Sequence, residues 1–218
     1  VWQHPQRKLI FLGDFVDRGP EQVETVKIAH RMVSAGHALA VMGNHEFNAV
    51  AWATPKDDQP GEYLRPHSDK NRKQHSAFLY QIGEDSQEHR QAIEWFKTLP
   101  LYLDLDGLRV VHACWHPQHI KALVPYLDEC FRIRPSAWAT VCEDGTSAFV
   151  AVETILKGLE IPLPNGVYFN DKDGHARTST RTRWWSQSAE LTYRDLAIVP
   201  HSLIEQIPHD PVPVDYQP

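Results

Sequence analysis

An α/β fold in a single domain is what this chain of 218 residues predicts, and three stretches carry that reading. Residues 8–13 (KLIFLG) are a short apolar run, rich in β-favouring side chains and closed by a Gly-Asp turn, which describes a buried strand. Residues 21–35 repeat apolar side chains at Val23, Val26, Ala29 and Val33 and stop at Gly36, the pattern of a helix with a glycine terminator. Residues 38–42 return to a continuous apolar run. Together they make a β-α-β unit whose parallel crossover is right-handed by rule, and whose functional loops lie at the strands' carboxyl ends.

The remaining elements follow in order. Residues 54–73 are polar, rich in Pro, Asp and Lys and without a period, so they read as an exposed excursion whose role the sequence does not disclose. Helices are predicted over 75–82 and 87–97, the second closed by Pro100. Residues 101–105 and 108–111 flank Asp106-Gly107, a two-residue hairpin turn, and the hairpin's second strand delivers His112. A helix over 147–157 buries Phe149, Val152, Ile155 and Leu156 and ends at Gly158. Residues 166–170 read as a strand, followed by a basic aromatic stretch and a proline-punctuated tail.

Composition narrows the function classes. A net charge of −6 argues against long nucleic acid as a partner, since phosphate neutralisation dominates that kind of binding. The longest apolar runs are five residues, far below the roughly 20 that span a bilayer, so no membrane partner is expected. Cys114, Cys130 and Cys142 are an odd, unpaired set that suggests neither a disulfide framework nor a thiolate zinc cage and fits a reducing cytoplasm. The cysteines also lack the basic, glycine-rich surroundings that would make a nucleophilic thiolate. Nothing at the start, VWQHPQRK, reads as a signal peptide.

Three clusters carry chemistry: Gly13 to Gly19 (GDFVDRG), Gly43 to Glu46 (GNHE) and Val111-His112-Ala113, each after a predicted strand. If those strands share one sheet, Asp14, Asn44 and His112 converge on one edge although they are 30 and 68 residues apart. Carboxylate, amide and imidazole form a mixed donor set suited to Mn, Fe or Zn. Taken singly, Asp14 to Asp17 could be a turn with a helix cap, Asn44 a cap and His112 a core histidine. The conjunction favours a metal site.

In this order and setting, the motifs resemble the calcineurin-like metallophosphoesterases, in their serine/threonine protein phosphatase branch. The resemblance implies two packed mixed β-sheets flanked by helices, a four-layer sandwich. It further implies metal-dependent phosphoester hydrolysis by direct attack of metal-bound water, on a phosphoprotein or on a small phosphoester such as a dinucleoside polyphosphate. By carry-over, Asp14 would bridge two divalent ions, and Asn44 and His112 would ligate the second. His45 would protonate the leaving alkoxide, Asp17 would orient His45, and Arg18 would grip the phosphate, with Asn44 also facing it. The family usually supplies a second arginine clamp. Arg177, Arg181 and Arg183, ahead of Trp184-Trp185, are either a solvated face or the source of that clamp, with Arg181 the candidate.

The chain also departs from the family pattern. It has no G-D-x-H-G motif to hold the first ion and no late G-H motif to complete the second; Asp173-Gly174-His175 is the nearest imitation. The expectation is a piece of a longer polypeptide, incomplete at both ends, that retains one ion or none and turns over little by itself, because affinity depends on ligand count. A non-catalytic scaffold or regulatory module that keeps the fold is the rival reading.

Overall fold

The structure, a computed structural model, describes residues 2–171, 174–186 and 191–213. Strand β1 (Leu9–Phe11) pairs in parallel with β2 (Ala38–Ala40), Leu9 opposite Ala38 and Phe11 opposite Ala40, and α1 (Gln22–Ser34) connects them. The β-α-β unit is therefore present. Its helix buries Gln22, Val26, Ala29 and Met32, while Val23 and Val33 sit only partly buried at the edge of the stripe. The stripe is turned toward Gln22 because that amide is used: its Oε1 accepts the Asp17 N–H at 2.7 Å, and its Nε2 donates to the Gly19 carbonyl at 3.3 Å.

Helix α2 (Asn44–Ala53) follows β2 directly. Helices α3 (Asp69–Ile82) and α4 (Gln87–Lys97) both begin at serine caps, Ser68 Oγ accepting the Asn71 N–H at 3.3 Å and Ser86 Oγ the His89 N–H at 3.0 Å. The Ser68 cap starts α3 six residues before the predicted position, in a first half too polar to show a period. The hairpin of β3 (Tyr102–Leu105) and β4 (Leu108–Val111) forms in the predicted register, with Gly107 at φ 72° in the turn. Helices α5 (Pro117–Leu123) and α6 (Trp138–Cys142) have no counterpart among the sequence expectations; α7 (Ser147–Lys157) does, capped by Thr146 and ended at Gly158.

Beyond α7 come short pairs: β5 (Glu160–Pro162) antiparallel to β8 (Ser179–Arg181), and β6 (Phe169–Asn170) antiparallel to β7 (Ala176–Arg177), then α8 (Tyr193–Leu196). The strand predicted over 166–170 shrinks to two residues because Gly166, at φ 83°, lies in a turn.

Helices against small sheets make this an α/β fold, but its strands pair two by two. Among the described residues there are four two-stranded sheets in place of two mixed ones, and β4 does not share a sheet with β1 and β2. Strands of two to four residues offer few ladder bonds, so single links join the pieces: Met42 N–H to the Pro100 carbonyl at 2.8 Å and Leu101 N–H to the Phe131 carbonyl at 3.0 Å. The main core runs from α1 through α7 around Met42, Phe78 and Phe96. A smaller one, with Ile161, Phe169, Leu196 and Ile207, belongs to the last third of the chain.

Candidate active site

The two motif loops touch backbone to backbone, and glycine is what lets them. A Cβ on Gly13, which sits at φ +83°, would lie 2.3 Å from the Gly43 nitrogen, and a Cβ on Gly43 would lie 2.5 Å from Asp14 Oδ1. Asp14 and Asp17 themselves adopt φ 59° and 68°, a region that side-chain-bearing residues enter at some cost. The clamp that holds this loop is Glu46, at the third position of α2. Its carboxylate, fully buried, accepts N–H groups from Asp14 at 2.8 Å, Phe15 at 2.7 Å and Gly43 at 3.0 Å. Burial pushes Glu46 up to about 7 despite those donors. The reach to Gly43 is the returning half of a capping box, so position three after a helix start was the available clue to Glu46.

His45, in the first turn of α2, puts Nδ1 2.8 Å from Asp17 Oδ2. Asp17 is almost wholly buried, and its other oxygen lies 2.6 Å from Nδ1 of His75, which is fully buried on α3. A carboxylate only accepts, so both Nδ1 atoms donate, which leaves Nε2 of His45 toward the cavity. Burial alone would raise Asp17, but the hydrogen bonds from His45 and His75 hold its carboxyl below the usual carboxylate range. In turn the Asp17 hydrogen bond raises His45 above the ordinary imidazole value, against the opposing effect of burial. His75 was missed by sequence reasoning. The clue is its place in the stripe His75, Phe78, Leu79, Ile82, where a histidine at an apolar position must find a buried partner.

On the other side of His45, Asp14 Oδ2 is 4.0 Å from His45 Nε2, and Asp14 Oδ1 is 3.4 Å from His112 Nε2. His112 Nδ1 hydrogen-bonds the Leu12 carbonyl; a carbonyl only accepts, so Nδ1 carries the proton. Nε2 then faces a carboxylate oxygen of Asp14, an arrangement that an ion pair or a shared cation would satisfy, and an oriented second nitrogen is the usual support of a metal-ligating histidine. Among the described residues no group of three or more His, Cys, Asp and Glu side chains is placed to hold a metal ion, and Asp14 with His112 is a pair of candidate donors only.

Asn44 opens α2 beside His45 and lines a cavity of about 770 Å³ together with Asp17, Arg18, His45 and Arg181. Asp14 and His112 meet each other but are not among the residues that line it. Of the three arginines near the tryptophans, Arg181 lines the cavity, 3.8 Å from Glu160, while Arg177 is held by Asp171 at 2.6 Å on the β6–β7 hairpin. His175 is on that hairpin, and Asp173 lies outside the described residues. The excursion after α2 also reaches the cavity, placing Leu64, Arg65 and Pro66 on its wall. Cys142 lines it too, but burial and the Glu153 carboxylate push that thiol up to about 12, and burial pushes Cys114 up to about 11, so neither is a nucleophile near neutrality.

Comparison with known proteins places the chain among phosphoesterases. The chain is 32% identical over 111 residues to a symmetrical bis(5'-nucleosyl)-tetraphosphatase of Methylobacillus flagellatus, covering 51% of this chain and 34% of that protein. It is 30% identical over 137 residues to the symmetrical enzyme of Vibrio cholerae, covering 62% and 45%. It is 26% identical over 122 residues to the asymmetrical bis(5'-nucleosyl)-tetraphosphatase PrpE of Oceanobacillus iheyensis, covering 55% and 46%. The matches thus extend over less than half the length of each relative. A family model for calcineurin-like phosphoesterases matches residues 3–213, and the chain, with its two glycine-led loops clasped by Glu46, belongs to that family.

Proposed function

We propose that the protein is a metal-dependent phosphoester hydrolase whose substrate is a small phosphoester of the dinucleoside polyphosphate type. The observation that carries this is the pair of imidazole–carboxylate units on either side of one carboxylate loop, His45 with Asp17 and His112 with Asp14. The family is metal-dependent, typically with two divalent ions. Asp14, His112 and Asn44 are the residues that would hold an ion here, with Mn, Fe or Zn suited to that donor set. Bound divalent ions supply charge neutralisation at the phosphoryl group and an activated water.

The chain's own side chains do the rest. His45 Nε2, with its proton secured by the Asp17 hydrogen bond, donates to the leaving oxygen; general acid catalysis of this kind contributes about 10²–10⁴ in rate. Asp17 keeps the ring oriented and stabilises its positive charge. Arg18, exposed on the cavity, grips a phosphoryl oxygen, and Arg181 is the second clamp. The free thiols support a reducing, cytoplasmic setting. With three donors for one ion, turnover by the chain as given is slow.

The test is hydrolysis of diadenosine tetraphosphate and of an aryl phosphate with added Mn²⁺, run in ¹⁸O-labelled water. Release of nucleotide or phosphate carrying one labelled oxygen is the expected result. Metal binding with no turnover of either compound would favour a non-catalytic module that keeps the fold.

A further inference from the structure

The excursion over residues 54–68 is pinned to the end of α2. Leu64 N–H donates to the Thr54 carbonyl and Arg65 N–H to the Ala51 carbonyl, each at 2.9 Å, and Pro55 bridges Tyr63. His67 stacks on Trp52 at 3.7 Å between ring centroids and hydrogen-bonds the Trp52 carbonyl. Arg65 is therefore carried by the same helix that begins at Asn44. Asn44, Asn48 and Ala51 line the cavity at i, i+4 and i+7, one face of α2. At 1.5 Å per residue the cavity floor extends about 10 Å from the His45 end toward the Arg65 tether, longer than one phosphoryl group.

The guanidinium of Arg65 is half-buried, and its contacts are neutral: one terminal nitrogen donates to Gln74 Oε1 at 2.7 Å and to Asn71 Oδ1 at 3.3 Å. Among the described residues no carboxylate forms an ion pair with it, nor with Arg18 or Lys70 on the same cavity, whereas Lys157 and Arg181 are paired with Glu153 and Glu160. Burial draws Arg65 below the usual arginine value, against the more distant Asp17 and Glu153 carboxylates. A half-buried cation whose direct partners are all neutral is costly, and two amide oxygens that fix its plane leave the rest of the fork to a ligand.

We infer that Arg65, with Lys70, forms a subsite for a second phosphoryl group, so that the cavity takes a polyphosphate chain in preference to a lone phosphomonoester. The inference rests on the hydrolase reading for which end of the chain is cleaved, but the subsite itself is a binding property. The scissile phosphoryl group lies at His45 and Arg18, and the next along the chain meets the Arg65 fork.

The experiment is calorimetric titration of the full chain with inorganic tripolyphosphate and with orthophosphate, with and without Mn²⁺. A bidentate charge-assisted contact is worth about tenfold or more, so tripolyphosphate should bind the native chain at least about tenfold more tightly. Arg65→Met should bring the two affinities to within about twofold, and Arg65→Lys, which keeps the charge and loses the fork, should fall between. Thermal unfolding of each variant reports whether the loop anchor survives; if Arg65→Met does not fold, Arg65→Lys and Lys70→Met carry the comparison. Equal affinities in the native chain, or a preference unchanged in folded variants, would overturn the subsite. Tripolyphosphate preference without hydrolysis of diadenosine tetraphosphate would leave the subsite standing and remove the hydrolase reading; hydrolysis without the preference would do the reverse.

Discussion

The two imidazole–carboxylate units of the site are built from the same chemical parts and are not equivalent. The His45–Asp17–His75 unit is closed around the acid: both oxygens of a buried carboxylate are taken by ring nitrogens at 2.8 and 2.6 Å, though Nε2 of His75 is buried without a hydrogen-bond partner. The Asp14–His112 unit is open: one ring nitrogen faces a carboxylate oxygen at 3.4 Å, and on the proposed reading a cation completes it. On the proposed reading the two units divide the labour: proton delivery would be set by the fold, and electrophilic assistance by what binds.

Breaking the closed unit gives the largest effect. His45→Ala should lower kcat for an aryl phosphate by about 10²–10⁴, with Mn²⁺ affinity within a few fold of the native chain. Equal loss of both would mean that His45 belongs to the ion site. Next comes His75→Ala, which leaves Asp17 buried with one partner and opens a cavity in the main core. Destabilisation of about 3 kcal/mol in urea unfolding is expected, with Asn at this position recovering part of it because its amide can donate to Asp17. A neutral result would show that His75 does not hold Asp17.

The acid side of the stability profile tests the same unit more gently. Because the folded value of Asp17 is lowered below the unfolded one, its contribution is fully present above the ordinary carboxylate value of 3.8 and is lost as pH falls through the folded value. Asp17→Asn should therefore flatten the fall in unfolding midpoint between pH 5 and pH 3 relative to the native chain, while starting from lower stability at pH 7. The smallest effect is expected at the periphery. Arg177→Ala breaks an exposed ion pair with Asp171 away from the cavity and should change stability by less than about 0.5 kcal/mol and leave turnover unchanged.

The closed unit also marks where the sequence was legible and where it was not. Asp17 and His45 lie in glycine-led motifs, each directly after an apolar run, and local chemistry places them. His75 is 58 residues from Asp17 and inside a helix whose first half is polar, so only its register with Phe78 and Ile82 pointed inward. The same contrast holds for the fold. Helices α1, α4 and α7 have periods and terminators that a reader can find, whereas β5 and β8 are three-residue strands whose partners lie 17 to 21 residues apart, a non-local choice with no local pattern behind it. Arg65 falls in the same class. Nothing in a stretch of Pro, Asp and Lys says that its backbone returns to Ala51, and a cation's lack of a counter-ion is visible only once its neighbours are in place.

On the proposed reading Asp14 and His112, from loops that follow strands of different sheets, share one cation. Direct titration of the chain with Mn²⁺, followed by the loss of the free-ion electron paramagnetic resonance signal, tests it in Asp14→Asn and His112→Ala variants that keep the native unfolding midpoint. The account predicts about one ion per chain and weakening of at least about tenfold in either variant, the scale on which lost ligands are felt. Unchanged binding in both variants would contradict it.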